Sequence, residues 1–204
     1  DIPEAENVMW WNDCWNWIDY WYDGDGWDGN EVYPFSGRAM DVSDYVPGDA
    51  HLHYFWGSET ALQAGTGAVL YAYVNLDSSY PPDEVMLQWH VVDTNGGSWE
   101  HRAYWGADNL WWGTNGTASR TNLGALPTAG QWVRLEVPAS VVGLEGEIID
   151  GLAFTLYGGR AAWDQAGMFT VLSADCENAW VEDELPPGAY EMWGYEGWSW
   201  TNSW

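Results

Sequence analysis

The amino-acid sequence predicts an all-β fold, either a sandwich or a barrel, with a tryptophan-rich extension at each end. Apolar side chains alternate over short stretches in the middle of the chain, which is the pattern of β-strands. Glycines and prolines separate these stretches, and no amphipathic helical pattern occurs. The chain has 204 residues, of which 47% are hydrophobic, so it can bury the core of one domain.

The predicted strands follow one another through the middle of the chain. Residues 69–76 are largely apolar on both faces, as in a central strand, and residues 85–91 alternate as in a half-buried strand. Residues 93–97 predict a hairpin turn, because Asn-Gly tolerates positive φ, and the return strand then spans residues 99–105. Further strands are predicted at residues 131–137, 152–157 and 168–172.

The charge of the chain excludes several classes of partner. The sequence contains 31 acidic residues against five arginines and no lysine, which gives a formal net charge of −26. Nucleic acids and anionic membranes repel such a charge, so we expect neither as a partner. The longest apolar runs are far shorter than a membrane span, so we expect no insertion into a membrane.

Acidic residues and tryptophans are concentrated at the two ends of the chain. Residues 1–31 contain nine acids and residues 175–204 contain seven, and neither segment contains a basic residue. Eleven of the 19 tryptophans also lie in these segments. We therefore divide the chain into an N-terminal segment (1–32), a sandwich domain (33–175) and a C-terminal tail (176–204).

The two cysteines, Cys14 and Cys176, lie in the two end segments. Neither has a neighbouring cluster of histidines or cysteines, so we do not expect a thiolate metal site. A single disulfide, within one chain or between two, is the favoured interpretation, and it implies an oxidising compartment. Two free buried thiols are the alternative.

The two ends also repeat each other. Glu-Asn at residues 6–7 recurs at residues 177–178, and an acid followed by Gly-Trp at residues 25–27 recurs at residues 196–198, both at an offset of 171 residues. If this repeat is real, the chain contains one whole unit and the opening of a second. The tryptophans of that opening would face water unless another surface covered them. Chance matching in a sequence of biased composition is the alternative.

Motifs in the middle of the chain match a known family. They include SWEHRAYWG at residues 98–106, GTNGTASR at 113–120 and GQWVRLEVP at 130–138. Over residues 33–172 the chain resembles a domain of large secreted and surface-exposed bacterial repeat proteins, some with Rhs-type repeats, and more distantly the jelly-roll carbohydrate-binding modules. The resemblance implies an antiparallel jelly-roll β-sandwich at an extracellular or cell-surface location in a bacterium. In the family a unit opens with a segment like residues 179–189, which here stands at the C-terminal end.

The sequence contains no catalytic motif, so we predict no enzymatic activity, although the paired carboxylates of glycoside hydrolysis leave no spacing signal. An acidic loop offers oxygen ligands that suit a structural calcium ion, with a solvated turn as the alternative. Its candidate ligands are Asp23, Asp25, Asp28 and Glu31. We expect no other cofactor.

Four residues are candidates for binding a glycan. Trp111 and Trp112 lie in a predicted loop, and Arg102 and Tyr104 project from one face of the return strand. Exposed indole rings stack on the C–H surfaces of sugars, and arginine hydrogen-bonds to hydroxyl groups.

We expect different roles for other residues in the middle of the chain. Trp99 and Trp105 are expected to pack between the sheets. His51 and His53 would share one face of a strand, where packing is favoured over a metal site. Asn115 begins the triplet Asn-Gly-Thr and is a candidate for glycosylation.

The leading hypothesis for function is a non-enzymatic structural subunit of an extracellular fibre or surface array. The tail is similar to the opening of a unit whose remainder is missing, so docking on another copy would bury its tryptophans and build a head-to-tail filament. The expected assembly residues are Trp180, Trp193, Trp198, Trp200 and Trp204.

Two alternatives remain open at this point. One is a carbohydrate-binding module of an adhesin or polysaccharide-active protein, with a polysaccharide as its partner. The other is a piece of a longer tandem array, in which the tail begins the next covalent unit. Like-charge repulsion between acidic ends opposes a fibre unless calcium, the arginines of the middle or low pH relieves it.

Overall fold

The structure, a computed structural model, describes residues 15–18, 32–37, 40–58, 61–92, 96–170, 177–181 and 190–192, the first and the last two ranges by their backbone alone. These residues form thirteen β-strands and one short 3-10 turn at Ala139–Val142. In chain order the strands are β1 (Trp15–Ile18), β2 (Met40–Ser43), β3 (Val46–Trp56), β4 (Leu62–Gln63), β5 (Ala68–Leu76), β6 (Glu84–Val91), β7 (Arg102–Gly106), β8 (Thr121–Asn122), β9 (Trp132–Pro138), β10 (Ile148–Gly159), β11 (Ala161–Thr170), β12 (Glu177–Val181) and β13 (Tyr190–Met192).

The described strands form two sheets that share one hydrophobic core. Sheet A has the order β1-β2-β11-β5-β9, and β12 also pairs with β11. Sheet B has the order β13-β3-β10-β6-β7-β8, and β4 also pairs with β10. The chain passes repeatedly between the sheets, so that β2-β11-β5-β9 faces β3-β10-β6-β7, which is the connectivity of a jelly roll. The predicted all-β jelly-roll sandwich is therefore confirmed.

Alternating side chains from both sheets build the core. Those of the two central strands are Leu70, Ala72, Val74 and Leu76 on β5, and Val85, Leu87, Trp89 and Val91 on β6. Between the sheets, the fully buried Trp163 of β11 stacks on Phe154 of β10, with 4.7 Å between the ring centroids. The predicted strands at residues 69–76 and 85–91 are confirmed, and their apolar alternation corresponds to this shared core. The prediction that the second of them is half-buried is wrong, because all eight residues of β6 are buried on both faces of the strand.

Arg160 lies between β10 and β11, where the chain passes from sheet B to sheet A. Its guanidinium pairs with the buried carboxylate of Asp77, which follows β5. The backbone N–H of Arg160 donates a hydrogen bond to the carbonyl of Tyr80 at 3.0 Å. Gly159 has a φ of +63°, and a Cβ there would lie 2.3 Å from the nitrogen of Pro82. Only glycine therefore allows the crossing to pack this closely against the connection between β5 and β6.

A buried contact between a histidine and a carboxyl group joins the two sheets. Nδ1 of His53 on β3 lies 2.6 Å from the carboxylate of Asp41 on β2, and the two side chains are 4% and 0% exposed. His51, two residues earlier on the same face, is also buried, and this burial lowers its pKa from 6.5 to about 4. Both histidines therefore lie in the interior, as the packing interpretation predicts.

The hairpin that follows β6 departs from its predicted form. The return strand begins at Arg102 instead of residue 99. Trp105 is buried in the core as predicted, whereas Trp99 meets the ring of Tyr54 edge-on at 5.6 Å on the outer face of sheet B. The prediction that Trp99 packs between the sheets is therefore wrong. Gly97 has a φ of +92°, so the chain turns there and the strand alternation does not reach back to Trp99.

Replacing the buried indole of the core tests this packing. We expect Trp163→Ala to lower the free energy of unfolding by about 3–5 kcal/mol, because it removes a fully buried aromatic side chain and leaves a cavity. Trp111→Ala is the matched control, since that side chain is 71% exposed, and we expect a change within about 0.5 kcal/mol. Urea denaturation measures both variants. Equal effects of the two substitutions would contradict the described core.

Candidate functional site

Both terminal segments contribute strands to the sandwich. β1 pairs along β2, with Trp15 opposite Ser43 and Ile18 opposite Met40. β13 pairs antiparallel with the end of β3, where Tyr190 is opposite Trp56. The two ends of the chain therefore extend the sheets through backbone hydrogen bonds.

One edge of β11 is shared by two strands. On this side β2 pairs only with residues 162–163, whereas β12 pairs with residues 166–169, with Glu177 opposite Phe169. We refer to residues 162–169 on this side as the β11 edge. Without β12, the backbone groups in the second half of the β11 edge would need another partner. The sandwich thus offers a position for one added strand.

Three half-buried aromatic rings lie on the outer face of sheet B, beside β13. Tyr54 stacks on Trp56 with 5.7 Å between ring centroids, and it meets Trp99 edge-on. The ring of His90 lies 5.1 Å from that of Trp99, and its Nδ1 lies 2.5 Å from the carboxylate of Asp150. These contacts form a fixed aromatic surface next to the place where β13 joins the sheet.

The loop of residues 107–120, which follows β7, is attached to sheet B by a buried carboxylate. Glu84, the first residue of β6, is fully buried. Its Oε2 accepts hydrogen bonds from the N–H groups of Asn109 and Leu110, at 2.6 and 2.8 Å. From the opposite side, Arg120 donates to the carbonyl of Leu110 at 2.5 Å. The backbone of Asn109 and Leu110 is therefore held by two donated hydrogen bonds and one accepted hydrogen bond.

Arg102 and Tyr104 lie beneath the 107–120 loop. Arg102 is 6% exposed, and its guanidinium donates to Oε1 of Gln88 at 2.7 Å and to the carbonyl of Ser119 at 3.0 Å. The hydroxyl of Tyr104 donates to the side-chain oxygen of Asn115 at 3.2 Å. Both side chains support the loop from below, and a direct contact with a glycan stays a prediction for them.

The 107–120 loop presents one of its two tryptophans to solvent. Trp111 is 71% exposed, whereas Trp112 is half-buried against the apolar cluster under the loop. Gly113 has a φ of +78°, and a Cβ there would lie 2.4 Å from the carbonyl oxygen of Ser119. This close approach closes the loop behind the tryptophans. Asn115 is exposed in the same loop, where its glycosylation stays a prediction.

Four of the five arginines lie in the described part of the chain, and each has a carboxylate partner. The pairs are Arg102 with Glu100, Arg120 with Asp108, Arg134 with Glu136, and Arg160 with Asp77. The positive charge of the sandwich is therefore already engaged by neighbouring acids. These arginines therefore do little to balance the negative charge of the terminal segments.

Several predicted residues lie outside the described part of the chain. They are Cys14, Asp23, Asp25, Asp28, Glu31, Cys176, Trp193, Trp198, Trp200 and Trp204, and Trp180 is described by its backbone alone. The disulfide, the calcium loop, the assembly residues and the boundaries at 32 and 175 therefore stay predictions. Within the described ranges, no three His, Cys, Asp or Glu side chains are grouped to hold a metal ion. Those ranges also contain no helix of the length and apolarity needed to cross a membrane.

Sequence reasoning missed Glu84 and the aromatic rings of Tyr54 and Trp56. Glu84 stands at the start of an otherwise apolar strand, immediately after Pro81, Pro82 and an aspartate. An acid at the first position of a buried strand is a signal that could have indicated a buried carboxylate. Its hydrogen-bond partners lie about 25 residues away and have no such signal.

No protein-family model matches the chain, and no curated protein matches it. Among solved structures, the chain is similar to the glycoside hydrolase domain of Endo-D from Streptococcus pneumoniae R6, with 10% sequence identity and a TM-score of 0.38. The match covers 68% of this chain and 19% of that one. The chain thus spans about a fifth of the length of that structure.

The prediction that the chain has no enzymatic activity is contradicted by this likeness to a glycoside hydrolase domain, and we do not keep it. The prediction rested on missing sequence motifs. Glycoside hydrolysis needs only two carboxylates at a suitable separation in space, which a sequence does not display. The match assigns no reaction to this chain.

The buried carboxylate of Glu84 makes the stability of the protein depend on pH. Burial raises the pKa of Glu84 from 4.5 to about 7, against the opposing effect of its two backbone donors. The neutral form is favoured in the folded protein, so its contribution to stability is complete below about pH 4.5 and is lost as pH rises through about 7.

We therefore expect Glu84→Gln to remove part of the pH dependence of unfolding, because the amide oxygen still accepts both backbone hydrogen bonds and carries no charge. Between about pH 5 and about pH 8, the free energy of unfolding of the parent protein should fall by about 2–3 kcal/mol relative to that of the variant. Urea denaturation at the two pH values measures this difference. If the difference in the free energy of unfolding between the two proteins is the same at both pH values, Glu84 is ionised in the folded protein over this whole range.

Proposed function

We propose that the chain is a structural subunit of an extracellular fibre or surface array, assembled head to tail by strand addition. The observation that carries the proposal is the pairing of β12 with the β11 edge. A strand close to one end of the chain occupies an edge that the sandwich offers. The same backbone pairing can form between two copies, because a sheet edge accepts any strand with the right register.

The internal repeat supplies a second strand for the same position. Residues 6–10 correspond to residues 177–181 of β12 at the offset of 171 residues. The β11 edge accommodates one such strand per copy, because β2 pairs with its other half. Each copy therefore has two related segments and one position for them. In a head-to-tail assembly, β12 of one copy fills the position on the next copy in place of that copy's own strand.

Such a contact gains stability from both backbone and side chains. Strand addition satisfies the N–H and C=O groups of an open edge. A buried tryptophan covers about 150–250 Å², which at about 25 cal/mol per Å² is several kcal/mol before the costs of ordering. The tail carries Trp180, Trp193, Trp198, Trp200 and Trp204. Because this contact joins two different surfaces, repeated addition builds a filament unless the rotation closes a ring.

The charge of the terminal segments opposes the proposed assembly. Nine acids in residues 1–31 and seven in residues 175–204 would meet between copies, and the described arginines are paired with acids of the sandwich. Dissolved salt screens such repulsion over about 10 Å at an ionic strength of about 0.1 M. A calcium ion held by the acidic loop of residues 23–31 would relieve it more specifically.

The proposed location is extracellular, on or near a bacterial surface. It is supported by the resemblance to domains of secreted and surface-exposed bacterial repeat proteins. A disulfide between Cys14 and Cys176 would fit the same oxidising environment. In a longer tandem chain, the tail would make the same contact with the next covalent unit.

Deleting residues 177–204 tests the assembly. We expect the deletion to abolish filaments in electron micrographs, because it removes β12 and the tryptophans that follow it. A synthetic peptide of residues 177–204 should then bind the shortened chain, since the β11 edge has lost β12. Trp111→Ala, which changes a distant exposed side chain, is the control and should assemble like the parent. Filaments of unchanged form in the deletion variant would refute the proposal.

Ionic conditions provide a separate test of the charge argument. Raising sodium chloride from about 0.01 M to about 0.15 M should promote assembly measured by light scattering, because like charges are screened. Calcium should promote assembly further at equal ionic strength if the acidic loop binds it, and EDTA should reverse that increment. Assembly that weakens as salt is added would contradict repulsion between the acidic ends.

A further inference from the structure

The 107–120 loop keeps a large aromatic side chain in water. Trp111 is 71% exposed, whereas Trp89, Trp105 and Trp163 of the same sandwich are at most 7% exposed. Burying an aromatic side chain is one of the strongest stabilising contributions available to a fold. Exposure of Trp111 is therefore a feature that folding does not explain.

The backbone on both sides of Trp111 is fixed. Asn109 and Leu110, which precede it, donate to the buried carboxylate of Glu84, and the carbonyl of Leu110 accepts from Arg120. On the other side, Gly113 packs against the carbonyl of Ser119 in a space that excludes a Cβ. The indole is thus presented from a rigid base, and a ligand that stacks on it would order little of the protein.

The surroundings of Trp111 are polar. Asp108 is partly exposed and accepts a hydrogen bond from Nδ2 of Asn115 at 2.8 Å, and Asn109, Thr114 and Asn115 are exposed. Trp111 is the only large hydrophobic side chain of the 107–120 loop that is exposed. A protein interface centres on several adjoining apolar side chains, whereas a sugar presents one C–H face to an aromatic ring and hydroxyl groups to polar neighbours.

We propose that the 107–120 loop binds a neutral saccharide, with a sugar ring stacked on Trp111 and hydroxyl groups hydrogen-bonded to Asp108 and Asn115. A neutral ligand is expected because a net charge of −26 repels acidic polysaccharides. Arg102 and Tyr104 hold the loop in place from beneath. The 107–120 loop follows β7 of sheet B, whereas the β11 edge belongs to sheet A.

Calorimetric titration of the full chain with cellohexaose, laminarihexaose, mannohexaose and xylohexaose tests the proposal, with polyguluronate as the acidic comparison. At least one neutral hexasaccharide should bind, and polyguluronate should not. Trp111→Ala should weaken that binding at least about tenfold, and Trp111→Phe less, since it keeps a smaller ring. Tyr33→Ala, which removes an aromatic side chain that is 56% exposed elsewhere, should bind like the parent.

Three results would overturn the proposal. They are the absence of binding to every neutral hexasaccharide, equal binding by the parent and Trp111→Ala, and a loss of self-assembly in Trp111→Ala without a change in saccharide affinity. The last result would identify Trp111 as a contact between copies. Near-ultraviolet circular dichroism of Trp111→Ala confirms that the sandwich is intact, so a loss of binding is not a loss of fold.

Discussion

The rest of this structure depends on the need of the backbone N–H and C=O groups of the strands to find hydrogen-bond partners. In sheet A, β2 pairs with residues 162–163 of β11, and the added strand β12 pairs with residues 166–169. The same requirement accounts for β1 beside β2 and for β13 beside β3. The assembly that we propose rests on the same requirement, since backbone pairing does not depend on which copy supplies the strand.

The sandwich positions its connections with ionisable side chains that are buried inside it. Arg160 and Asp77 hold the crossing between the sheets, and His53 and Asp41 join β3 to β2. Such buried pairs contribute little net stability, but their directional contacts restrict the geometry of what they join. Glu84 does the same for the 107–120 loop, so that Trp111 faces water from a fixed position. The proposed strand addition in sheet A and the proposed ligand binding at the 107–120 loop therefore use different parts of one fold.

A strand can be predicted when its own residues show an alternating apolar pattern. Residues 69–76 and 85–91 alternate between two faces, and that period is visible without knowledge of any partner. β2 and β3 are not visible in this way, because Asp41 and Ser43 leave only two apolar residues in β2, and Pro47, Gly48 and two histidines interrupt the apolar pattern of β3. The polar side chains among them are tolerated because they find buried partners, as His53 does in Asp41 and His51 does in the carbonyl of Gly158.

By itself the sequence determined the all-β class, the central strands, the acidic charge and the concentration of tryptophan at the two ends. The tertiary structure alone decided where β12 and β13 join the sheets, that Trp99 lies outside the core, and that Trp111 is exposed while Trp112 is half-buried. The physical reason is distance along the chain. Periodicity reports on neighbouring residues, whereas burial and edge pairing depend on contacts such as that between Glu84 and Leu110, 26 residues apart.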